Sequence, residues 1–125
     1  MKNPVGWFEI YVADMARAQQ FYEAMLAVSL SDLSDPSDTS LIMKAFPSDM
    51  EQYGATGALV KMAGAAVGQN SVLVYFACDD CAVEEARIVA AGGLVERSKF
   101  SIGQYGFIAL AVDTEGNRFG LHSLR

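Results

Sequence analysis

Residues 7 to 12, WFEIYV, read as a strand, and the period-two rule places Trp7, Glu9 and Tyr11 on one face and Phe8, Ile10 and Val12 on the other. The spacing then turns helical, with Met15, Ala18, Phe21, Tyr22, Met25 and Leu26 as an apolar stripe and Asp14 as its N-cap. The same order returns 66 residues later, Asp80 standing against Asp14. VLVYFAC at 72 to 78 reads as a strand, Asp80 as a cap, Ala82, Ala86, Val89 and Ala90 as the second stripe, and Gly92-Gly93 as the stop. Each helix is followed by three further strand segments, about 28 to 33, 40 to 46 and 56 to 62, then about 94 to 100, 105 to 112 and 118 to 123. Both halves therefore read β-α-β-β-β. The pattern predicts an α+β fold, one domain over 1–125 made of repeat modules 5–63 and 70–125.

Phe8, Ile10 and Val12 form the natural floor for the first helix. That leaves Trp7, Glu9 and Tyr11 facing a place that tolerates a carboxylate, as a concave cavity between two sheets does. A chain of 125 residues buries roughly two-thirds of its unfolded surface, so this core needs no staples. Apolar residues make up 52 %, yet charges interrupt them and no run approaches the ~20 residues of a membrane span. A net charge of -6 offers no basic patch to phosphate backbones, so neither nucleic acid nor membrane is an expected partner. The opening MKNPVGWFEI lacks an apolar signal core and cleavage site, which sets the expectation of a cytoplasmic protein.

The duplicated half, YVADMARAQQFYEAML opening it and DTEGNRFGLH closing it, together with the run SIGQYGFIALAVDTEGNRFGLHS, resembles the glyoxalase, bleomycin-resistance and extradiol-dioxygenase superfamily of vicinal oxygen chelate proteins. The likeness spans essentially the whole chain. It implies a cupped, curved mixed sheet around a ligand site, often completed by a second subunit. Metal-dependent members carry a His seven residues before the Asp that opens the first helix, and Trp7 stands there. The corresponding place in the second half is Leu73, the Glu expected in the final strand is Gly120, and the internal repeat places Ala58 at the fourth position. None of these side chains binds a divalent ion, so no metal and no cofactor is expected. Lactoylglutathione lyase activity is disfavoured with them, because that chemistry uses a metal to stabilise an enediolate.

Glu9, Tyr11, Tyr75, Arg118 and His122 are the polar residues expected to look into the cup, with Trp7, Val60 and Leu73 completing its wall. His122, the single histidine, lies two residues past Gly120 and so on the same strand face. Glu9 and His122 are the candidate acid–base pair of a lyase or isomerase; the alternative is that they hydrogen-bond each other or water at the rim. Trp7 either lines a pocket or fills it. CDDC at 78 to 81 is a lone C-x-x-C at a helix start, open to a redox reading that Asp79 and Asp80 oppose, while Cys78 falls on the helix-facing side with Val74 and Phe76. Gly103 and Gly106 flank Tyr105 as a closing hinge or a tight turn. SDLSDPSD at 31 to 38 reads as a solvated loop, and DTEGN as a polar turn with Gly116 at positive φ. The reading is a metal-independent binder of a small organic molecule, expected as a homodimer.

Overall fold

The computed structural model describes residues 3–34, 36–68 and 71–125; Asp35 of the acidic loop and Asn70 at the start of the second module lie outside them. The order of elements is β1 (Phe8–Tyr11), α1 (Met15–Leu26), β2 (Ser31–Asp32), β3 (Leu41–Ala45), β4 (Gly57–Met62), β5 (Val74–Ala77), α2 (Cys81–Glu85), β6 (Leu94–Ser101), a 3-10 turn (Gly103–Tyr105), β7 (Phe107–Val112) and β8 (Arg118–Ser123). They build two mixed four-stranded sheets, β1-β4-β3-β2 and β5-β8-β7-β6. In each, the first strand runs parallel to the last. The repeat holds at single-residue resolution: Glu9 pairs with Ala58 as Tyr75 pairs with Gly120. The ladders also end alike, with Val12 N–H donating to Val60 O at 2.9 Å and Cys78 N–H to His122 O at 2.8 Å.

The first helix forms as its stripe predicts. Met15, Ala18, Phe21, Tyr22 and Met25 are buried, and the Asp14 side chain accepts from Arg17 N–H at the N-terminus. Its opposing floor is Ile10 and Val12, both buried, with Phe8 packed against the same cluster. The second helix departs from expectation. Cys81, Ile88 and the partly buried Ala91 face the core, whereas Val89 is 68 % exposed and Ala82, Ala86 and Ala90 are exposed too. The Cys81 N–H donates to the buried Ser123 Oγ, which turns that residue inward and rotates the segment by about one position. Regular helix stops at Glu85, turns follow, and Gly92 with φ 106° ends them.

Strand edges also shift. The 28 to 33 segment shrinks to Ser31–Asp32, because Val28 N–H bonds Glu23 O and Leu30 N–H bonds the Glu23 carboxylate, holding this stretch to the end of α1. The Gly103–Tyr105 turn replaces the start of the strand expected from 105. Gly106 sits at φ 104° where a Cβ would lie 2.3 Å from Ser123 O, so close backbone approach requires glycine there.

The two modules are joined by an aromatic cluster and a polar clamp. Tyr22 meets Phe76 and Phe119 of the second module at 5.8 and 5.9 Å, and Phe8 meets Phe76 at 6.0 Å. The β7–β8 turn, expected as a plain polar connection, docks on the β1–α1 junction. Glu115 accepts from Ala13 N–H, Asp14 N–H, Arg17 Nε and Arg17 Nη2 at 2.7–3.0 Å. Asp113 accepts from the buried Tyr22 hydroxyl at 2.6 Å, and Asn117 bridges Tyr11 O and Gly68 N–H. Gly116, at φ 83°, allows the turn.

Candidate functional site

Cross-strand register decides which side chains share a face. Trp7, Glu9 and Tyr11 stand on the face of β1 opposite the core, and Tyr75 takes the equivalent place on β5. Between these two strands lies a cavity of about 810 Å³. Trp7, Glu9, Leu73, Tyr75 and Arg118 line it, over a floor that includes Tyr22 and Phe119. Five of the eight expected ligand-contacting residues thus converge. Tyr11, Val60 and His122 do not line it: Val60 is only 1 % exposed, and His122 lies one residue pair further along β8, opposite Ala77 and Ile108.

Glu9 is held by its own strand. Trp7 Nε1–H donates to Oε2 at 3.2 Å and the Tyr11 hydroxyl to Oε1 at 2.9 Å. The bond to Glu9 raises the Tyr11 pKa, with slight burial adding to it, so this phenol remains a protonated donor. Arg118 Nε pairs with Glu96 at 2.7 Å. His122 Nε2 lies 2.7 Å from Tyr105 O, and since a carbonyl only accepts, Nε2–H is the donor in this bond. Glu9 and His122 are therefore not brought together in one cavity.

The four positions where the resemblance implies metal ligands have the wrong chemistry. Trp7, Ala58, Leu73 and Gly120 offer no side-chain donor for a divalent ion. At one of them the space itself is taken, because a Cβ on Gly120 would lie 2.3 Å from two carbons of the Tyr75 ring. Among the described residues no group of three His, Cys, Asp or Glu side chains is arranged to hold a metal ion. The residues present do not fit the metal of the superfamily's enzymes.

The C-x-x-C pair consists of free thiols, Cys81 buried and Cys78 half-buried. Burial, reinforced by Glu84, pushes the Cys78 pKa up to about 12, the reverse of what a redox thiol needs. A second cavity of about 610 Å³ opens beside the first, with Phe8, Phe46 and Phe76 in its wall and the segment Tyr53–Ala55 shared between the two. Nothing in the local sequence of 46–56 marks it as part of a site. Its role comes from folding back over strands distant in sequence, although Met50 and Tyr53, 98 % and 90 % exposed, are large side chains in an otherwise polar loop.

No protein-family model matches the sequence, and no curated protein matches it. Solved structures do match. Glyoxalase I from Zea mays superimposes with TM-score 0.75 at 21 % identity over 97 % of this chain and 46 % of its own, so this chain spans under half of the maize protein. A glyoxylase/bleomycin resistance protein/dioxygenase domain from Frankia aligns along 100 % of both chains with TM-score 0.72 at 14 % identity. An antibiotic-binding protein from Streptomyces aligns over 98 % of this chain and 96 % of its own, with TM-score 0.65 at 23 % identity. Among the described residues no helix is long and apolar enough to cross a membrane. Tandem modules in equal register, full-length superposition and the first-strand crevice together identify the glyoxalase/bleomycin-resistance/dioxygenase fold in this chain.

Proposed function

We propose that this protein binds a small organic molecule in the β1–β5 crevice, without a metal ion, and acts as a homodimer. The observation that carries the reading is the crevice itself. Its volume lies within the range of small-molecule sites, and Trp7 and Tyr75 stand in its wall with few polar groups, the composition such sites use. Trp7 is 42 % exposed, which favours lining over filling. Binding without turnover also fits a solved neighbour described as an antibiotic-binding protein.

The acid–base alternative has less support. Its two candidates are separated, and the His122 Nε2–H is already engaged with a backbone carbonyl. Lyase or isomerase chemistry through Glu9 and His122 would need both within reach of one substrate.

Native mass spectrometry on protein purified without chelator or affinity metal tests the proposal. The expected spectrum is a metal-free dimer that takes up or retains an organic molecule, with Tyr75→Ala losing it. A stoichiometric divalent ion would overturn the metal-independent reading, and a monomer would overturn the dimer.

A further inference from the structure

We infer that the β1–β5 crevice selects a planar aromatic cation, such as a protonated or quaternised nitrogen heteroaromatic. The inference rests on the small-molecule reading and deepens it by asking which charges in the crevice already have partners. Among the described residues, those of its lining that carry charge are Glu9 and Arg118. Arg118 is matched within the protein by Glu96 at 2.7 Å. Glu9 has no ion pair among the described residues. Both its oxygens accept from neutral donors, Trp7 Nε1–H and the Tyr11 hydroxyl, which fix its orientation without bringing it a positive charge.

The rings beside it complete the recognition. Trp7 and Tyr75 are 42 % and 46 % exposed, so each offers ring surface to a ligand. Tyr75 is backed by Gly120, whose missing Cβ gives the ring its seat on β8. A cation gains from an indole or phenol face as well as from a carboxylate, and a flat ring system gains from stacking on both. An anion would meet Glu9 with no unmatched cation among the described lining residues to offset the repulsion. The adjoining cavity has the same sign, its charged lining residues being Asp49 and Glu84. The net charge of -6 steers cations toward both openings.

The test compares three planar three-ring probes of similar size: aminoacridinium, anthracenemethanol and anthracenecarboxylate. Calorimetry gives the affinities. Trp7 is the single tryptophan, so its fluorescence reports binding, and loss of that quenching in Tyr75→Ala places the probe in this crevice. The cation is expected to bind at least about tenfold more tightly than the anion, and Glu9→Gln to abolish that preference. Equal binding of anion and cation by the unmodified protein, or a preference that survives Glu9→Gln, would overturn the charge inference. In that case quenching by the neutral probe still supports the small-molecule reading. Failure of all three probes to quench Trp7 would overturn both. Should Glu9→Gln fail to fold, the cation–anion comparison on the unmodified protein decides alone.

Discussion

Replacing Glu115 with Gln removes one negative charge from the clamp between the modules and changes almost nothing in volume. The carboxylate side chain is 0 % exposed. Burial alone would raise its pKa, but Arg17, the Asp14 and Ala13 amides and the Thr114 hydroxyl overcome that and lower it from 4.5 to about 2. A carboxylate so shifted stabilises the folded state by up to about 3 kcal/mol. Arg17 is 52 % exposed and partly screened by water, so about 2 kcal/mol is the working figure. The sign follows from a depressed folded pKa: the stabilisation is complete above 4.5 and disappears as the pH falls toward 2. Urea titrations followed by far-UV circular dichroism are expected to show Glu115→Gln less stable by about 2 kcal/mol at neutral pH, with the gap narrowing through the acid range. The matching fall in Tm is about 6–10 °C. A gap independent of pH, or below about 0.5 kcal/mol at neutrality, would refute the view that an ionised Glu115 joins the modules.

Tyr22→Phe deletes the 2.6 Å bond to buried Asp113, leaving that carboxylate with its Asn117 and backbone donors; a loss of about 1.5–3 kcal/mol is expected from chemical denaturation. Gly120→Ala drives a methyl group into the Tyr75 ring and should weaken probe binding; if that clash is the cause, Tyr75→Ala and Gly120→Ala will be non-additive in a double-mutant stability cycle, the second costing less once the ring is gone. Cys78, half-buried and with its pKa pushed up to about 12, should react with a disulfide reagent far more slowly at mildly alkaline pH in folded than in urea-unfolded protein, and equal rates would contradict its protonated state.

Much of the fold was legible because its causes are local. Asp14 and Asp80 cap helices by reaching amides two or three residues on, as their spacing before the apolar stripes implied. Where local pattern was weak, the reading slipped. Around α2 the alanines satisfy several helical faces equally well, and contact with Ser123 selected Cys81 and Ile88 over Ala82 and Val89. The clamp was missed because Glu115 meets Arg17 across 98 residues, although Asp113, Glu115 and Asn117 do alternate with a period of two.

By itself the sequence determined the repeat, the faces of β1 and the absence of ligating side chains at Trp7, Ala58, Leu73 and Gly120, since each depends on residue type and spacing along one segment. Only the tertiary structure decided that Glu9 and Tyr75 share a cavity while His122 does not. Docking of α1 and the β7–β8 turn sets where β1 lies relative to β5, and a contact made across the whole chain leaves no trace in local periodicity.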